Sequence, residues 1–279
     1  METEYRETRN LAYYESGVPG NGDLDYRQER CRLDLYRPTG EPGFATIVWF
    51  HGGGLQSGDK EIPAILKNRG LAVAAPSYRL SSARAKCPDY LEDAAAAVAW
   101  VFRHIADYGG DPDRIYLSGG SGGGYLAAML ALNPDYLAKH QIDSLRLAGV
   151  MPISGQMTTH FQIVNERSGV IAMGPNPIPV IDEYAPLHYI RQQTPPLFLI
   201  TGDPAIEWPG RPEENRLLAA LLTRVAMNPR VECMTLAGFD HGDIYDPGLL
   251  LALKKIQEWE LQKSSTSSSS GAALPLAPQ

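Results

Sequence analysis

The chain has 279 residues, 44% hydrophobic and 20% charged, a globular mix that excludes wholesale disorder and suffices to bury a core without cross-links. Its 25 basic and 32 acidic side chains leave a net charge of −7, which argues against a nucleic-acid groove or an anionic membrane surface as partner. No apolar run reaches the roughly 18 residues of a membrane span, and the start, Met1 to Glu7, lacks the basic-then-apolar pattern of a secretory leader. Three well-separated cysteines, Cys31, Cys87 and Cys233, make neither a disulfide framework nor a metal-ligand spacing, so a cytoplasmic protein without metal or cofactor is expected.

Arg32–Arg37 alternates polar and apolar residues, as a half-buried strand does, and Pro38 closes it. Ala45–Phe50 and Leu71–Pro76 are continuous apolar runs suited to buried central strands. Pro88 opens a helix with Asp89, Glu92 and Asp93 near its positive end. Its buried stripe is Leu91, Ala94, Val98, Val101 and Ile105. A short strand follows at Ile115–Leu117, then a helix at Gly123–Leu132. Further strands are predicted at Leu145–Ile153, Leu197–Thr201 and Val231–Leu236, with helices at Glu213–Met227 and Pro247–Leu261. Strand-helix alternation of this kind predicts an α/β fold with a mainly parallel sheet and helices on both faces. Between Gly155 and Pro186 the periodicity fails, and Pro175, Pro177 and Pro179 break any long helix. The stretch 155–186 reads as a small lid insertion within one domain, residues 1–262. The Ser-rich end, 263–279, has too little apolar content to repay ordering and reads as a disordered tail.

Gly119-Gly120-Ser121-Gly122-Gly123 fits Gly-x-Ser-x-Gly and stands between a strand and an apolar helix. A nucleophile on so tight a turn needs small neighbours, and the helix N-terminus favours the charge that develops there. Upstream, His51-Gly52-Gly53-Gly54 follows the strand ending at Phe50. Its three glycines leave backbone N–H groups unshielded which, with that of Gly122, are suited to an oxyanion hole. Of the six histidines, only His241 follows the last strand, in a Gly-containing loop, and it is the candidate general base. His51 reads as a loop-shaping residue. The acid belongs after the strand Leu197–Ile200, where Asp203 and Glu207 both stand. Asp203 is favoured because it leaves the strand end directly and Pro204 fixes its turn. Glu207 requires Pro204–Ile206 to fold back toward the serine.

These residues resemble the α/β-hydrolase superfamily, and within it the hormone-sensitive-lipase-like carboxylesterases and the related feruloyl-esterase and kynurenine-formamidase-like enzymes. The likeness runs from about Leu33 to Leu261. It is most specific at Leu33–Pro38 leading into His51–Lys60, with support from Asp111–Ser121 and Asp240-His241-Gly242. It implies Ser121 as nucleophile, His241 as base and Gly53, Gly54 and Gly122 as oxyanion donors. Two departures stand out. Many relatives carry alanine where this chain has Gly122, and, counting from Pro196, their acid would fall near Ala205, with Asp203-Pro204 like their Asp-Pro pair shifted by two. The expected function is a serine carboxylic-ester hydrolase acting on short- to medium-chain or compact aryl esters. An arylformamidase-like amidase and a non-catalytic small-molecule receptor on the same fold are the alternatives, and oligomeric state is left open.

Overall fold

The computed structural model describes residues 3–15, 22–169 and 178–269, with side chains to residue 263. In chain order its elements begin with β1 (Tyr5–Ala12), α1 (Leu24–Arg30), β2 (Arg32–Pro38), β3 (Phe44–Phe50), β4 (Ala72–Pro76), α2 (Asp89–His104) and β5 (Gly110–Gly120). They continue with α3 (Gly122–Leu132), the single turn α4 (Asp135–Ala138), β6 (Gly149–Ile153), α5 (Phe161–Ser168), β7 (Leu197–Thr201), α6 (Arg211–Ala220), β8 (Val231–Thr235) and α7 (Tyr245–Ser269). The strands form one sheet in the order β1-β2-β4-β3-β5-β6-β7-β8. β2 runs antiparallel to β1 and β4, and every pair from β4 onward across the sheet is parallel. This is the α/β-hydrolase fold.

Alternation along the strands sorts the core into two layers. Val48, Phe50, Ile115, Leu117, Leu197 and Leu199 pack with α2, α3 and α6 on one face. Ile47, Trp49, Tyr116, Phe198 and Ile200 pack with Leu249, Leu253 and Ile256 of α7 on the other. α3 is buried along its whole length, as befits a helix whose sequence carries no polar stripe. The parallel strands all end on one edge. That edge is where open α/β sheets bind ligands, because the loops there converge while the strands hold them rigidly.

Several expectations are corrected. β5 begins at Gly110, five residues before the predicted Ile115, because Gly110 already pairs with Phe44. The predicted strand from Leu145 starts only at Gly149. Before it, the Asp143 side chain accepts the Leu145 N–H and winds Ser144–Arg146 into a 3₁₀ turn. α6 starts at Arg211 and passes into a π-helical turn, Leu221–Val225. β1, α1 and α5 had no counterpart in the sequence reading, and α5 lies inside the stretch taken as an aperiodic lid. α7 does not stop at Leu261 but runs to Ser269, into the segment expected to be disordered. Residues 270–279, and Pro175 and Pro177 of the lid stretch, lie outside the described residues.

Candidate active site

Ser121 sits between β5 and α3 with φ 51° and ψ −114°, a backbone conformation that costs an L-residue about 1–3 kcal/mol. The strain is imposed by close approach. A Cβ on Gly123 would lie 2.1 Å from the Phe50 carbonyl oxygen, and one on Gly119 would lie 2.4 Å from the Gly123 carbonyl carbon. Only glycine lets the strand end and the helix start cross so tightly. The Ser121 N–H donates to the Ile153 carbonyl at 2.9 Å and its own carbonyl accepts from Tyr125 N–H at 2.9 Å, so both sides of the turn are anchored.

His241, in the loop between β8 and α7, places Nε2 2.9 Å from Ser121 Oγ. Its Nδ1 is 2.5 Å from Glu207 Oε1. Glu207 is therefore the carboxylate that meets the imidazole, and Asp203 is not. The reason is local. Asp203 accepts the Ala205 N–H with its side chain (2.9 Å), and its carbonyl accepts the N–H groups of Ile206 and Glu207 at 3.0 and 2.8 Å. This compact turn folds Pro204–Ile206 back and returns Glu207 to the strand end. Asp203 clips loops together instead, accepting Gly238 N–H at 2.8 Å while its own N–H donates to Phe239 O at 2.8 Å. Those N–H bonds, Ala205's first, hold its carboxyl below the usual range. Asp240 is occupied with the Gly242 and Asp243 N–H groups.

The Glu207 side chain is fully buried. Burial opposes its charge, but hydrogen bonds from His241 and Ser154 outweigh that and hold its carboxyl below the ordinary value. Oε2 accepts from Ser154 Oγ and, at 3.3 Å, from Gly202 N–H, while Oε1 also accepts Trp208 N–H at 2.9 Å.

Across the serine, Gly53 (φ 99°) and Gly54 (φ 61°) form a turn closed by Gln56 and Ser57 N–H groups on the Gly53 carbonyl, each at 3.0 Å. The backbone nitrogens of Gly54 and Leu55 lie 3.5 and 3.1 Å from where a Cβ on Gly122 would stand. The loop and the start of α3 are thus side by side, and a side chain at Gly122 would crowd the Leu55 N–H. The Gly122 N–H, first in its helix, has no intrahelical acceptor. His51 does shape its loop: Nδ1 bonds the Gly52 carbonyl at 2.8 Å, Tyr78 stacks on the ring at 4.4 Å, and burial pulls its pKa down to about 4.

Four neighbours had gone unread in the sequence. The phenol of Tyr245, at the start of α7, faces Ser121, and its oxygen lies 3.1 Å from where a Cβ on Gly52 would stand. Phe161, first in α5, puts Cζ 3.1 Å from the position of a Cβ on Gly54. Ser154, held with φ 47° at the end of β6, bonds Glu207. Trp208 stacks on His241 with centroids 3.9 Å apart. The one signal that pointed to any of them was the aromatic beside a candidate acid in Glu207-Trp208. Among the described residues no cluster of side chains could hold a metal, and no helix is long and apolar enough to cross a membrane.

The chain is 42% identical over 111 residues to the probable isoprenylcysteine alpha-carbonyl methylesterase ICMEL1 of Oryza sativa subsp. japonica, covering 38% of this chain and 26% of that protein. It is 34% identical over 138 residues to the probable carboxylic ester hydrolase LipM of Mycobacterium tuberculosis, covering 47% and 30%. The alignments thus span less than a third of those curated relatives. A thermophilic esterase from the planctomycete Thermogutta terrifontis superposes with a TM-score of 0.65 at 26% identity over 92% of each chain. The BD-FAE family profile matches residues 33–207, which run from the second strand to the carboxylate on His241. By that match over more than half its length this chain belongs to the BD-FAE family, and its sheet order is that of the α/β-hydrolase fold.

Proposed function

We propose that this protein is a serine carboxylesterase that works through an acyl-enzyme. The observation that carries the reading is the unbroken chain Ser121 Oγ, His241 Nε2, His241 Nδ1, Glu207 Oε1, at 2.9 and 2.5 Å. Ser121 Oγ attacks the acyl carbon as its proton passes to His241 Nε2. Glu207 accepts the Nδ1–H, fixes the reactive tautomer and stabilises the imidazolium. The N–H groups of Gly53, Gly54 and Gly122 receive the tetrahedral oxyanion. The intermediate collapses, the C–O bond breaks, and the alcohol departs with the proton from Nε2. Water then attacks the acyl-enzyme, giving its proton to His241, and the acid is released as Ser121 regains a proton. Phe161 against the oxyanion loop favours short to medium acyl groups or compact aryl esters.

A p-nitrophenyl acetate and butyrate assay, paired with labelling by an organophosphate such as paraoxon, tests this. Turnover of both esters with one phosphoryl group on Ser121 is expected. A protein that neither labels nor turns over esters is no serine esterase, and one that prefers formanilides to esters is an amidase. Ser121→Ala should remove about six orders of magnitude of turnover, as when a triad acts as a unit.

A further inference from the structure

The indole of Trp208 lies nearly parallel to the His241 imidazole, with centroids 3.9 Å apart and planes 9° apart. The same residue donates its backbone N–H, at 2.9 Å, to the Glu207 oxygen that meets His241 Nδ1. Its carbonyl accepts Arg211 N–H at 3.1 Å at the start of α6. Trp208 is half-buried and belongs to neither apolar layer of the core. Its large ring is therefore spent on the histidine and not on packing the sheet.

We infer that Trp208 is a positioning residue for the general base, gripping the imidazole through its ring and the acid through its backbone. The inference rests on the proposed esterase reading for its kinetic part only. Stacking fixes the ring plane, so that Nε2 points at Ser121 while Nδ1 stays on Glu207. It also acts differently on the two charge states. A neutral imidazole gains little from the negative face of an indole, whereas the imidazolium present after proton transfer gains a cation–π attraction. An interaction stronger after proton transfer than before it lowers the barrier.

The other groups around His241 are Ser121 and Tyr245 on the elbow side, Glu207 from the β7–α6 loop with Arg211 behind it, and Asp240 and Asp243 in its own loop. All persist when Trp208 is replaced, so a change in pH dependence reports the indole.

The test compares wild type with Trp208→Phe and Trp208→Leu in two readouts. The first is the pH profile of p-nitrophenyl butyrate hydrolysis. Trp208→Leu should lower kcat about tenfold with KM changed less than about threefold. It should move the acid limb about half a unit toward lower pH, because the imidazolium loses its partner. Trp208→Phe should recover most of both. The second is intrinsic fluorescence, which needs no substrate. A stacked imidazolium quenches indole emission, so wild type should lose emission as pH falls through the acid limb. That step should vanish in Trp208→Phe and in His241→Asn.

An acid limb unmoved in Trp208→Leu, or a loss confined to KM, overturns the inference. So does a wild-type emission with no step at the limb, and this arm holds even if the leucine variant fails to fold. If the wild type hydrolyses no ester yet shows the His241-dependent step, the esterase reading fails and the stacked pair stands.

Discussion

Glu207 and Asp203 stand four positions apart and do different work, and substitution separates them. Glu207→Gln keeps the shape but offers His241 an amide that can donate toward Nδ1, so the ring adopts the wrong tautomer. Turnover should fall by a factor on the order of 10⁴, the size of a triad acid turned amide. Asp203→Asn keeps one acceptor for Gly238 or Ala205, and turnover should fall less than about tenfold by the modest worth of a single exposed hydrogen bond. Steady-state kinetics on one short ester, with circular dichroism to confirm folding, distinguishes the two. Comparable losses would mean that the loop clip matters as much as the acid. Ser121 and His241 were legible in the sequence because a nucleophile on a strand-to-helix turn demands glycine neighbours, and because one histidine alone follows the last strand. Both candidate acids were legible but the choice of Glu207 over Asp203 was not, because a carboxylate's distance from an imidazole depends on how tightly the intervening turn winds. Linear spacing favours Asp203, whereas the Asp203-centred turn brings the fourth residue nearer the ring.

Among the elements, α5 is the one that packs against the Gly53-Gly54 turn. Phe161 at its first turn presses on Gly54, and His160 before it is fully enclosed against Phe161 and Tyr125 with ring centroids 4.4 and 5.1 Å away. Burial drives the His160 pKa well down, so its Nδ1 stays available to accept the Gln162 N–H at 3.2 Å and start the helix. Phe161→Ala should open space beside the oxyanion loop and raise the octanoate-to-acetate ratio of kcat/KM by about tenfold, in the range one or two methylenes can command. An unchanged ratio would show that α5 does not bound the acyl site. The sequence hid this helix because Phe161-Gln162-Ile163-Val164-Asn165-Glu166-Arg167-Ser168 is short, polar at its end and embedded in proline-rich chain. β1 was hidden likewise: it is an edge strand with no fully buried residue, and its register comes from β2 rather than from an apolar alternation of its own. The buried strands β3, β4 and β7 announced themselves because a central strand needs apolar side chains on both faces.

The whole molecule is tied across its helical face by one buried ion pair. Asp93 of α2 and Arg79 after β4 are 0% and 1% exposed. Asp93 accepts from Arg79 N, Nε and Nη2 at 2.9, 2.8 and 2.8 Å and from the Tyr14 hydroxyl at 2.9 Å. A single carboxylate thus joins the segment after β1, the end of β4 and α2. Asp93→Asn removes the charge that directly faces a buried guanidinium and should cost about 3–5 kcal/mol of unfolding free energy, read from urea denaturation. A loss under about 1 kcal/mol would mean that Asp89, 3.5 Å from Arg79, takes over.

The cramped backbone at Ser121 sets stability against usefulness for the molecule as a whole. Glycine is at ease where serine is forced, so Ser121→Gly should melt several degrees higher than wild type, by about 1–3 kcal/mol of released strain, while losing its nucleophile. Scanning calorimetry beside an ester assay checks both halves. Breeding this protein for heat resistance alone would reward its own inactivation, and any such selection has to count product as well as survivors.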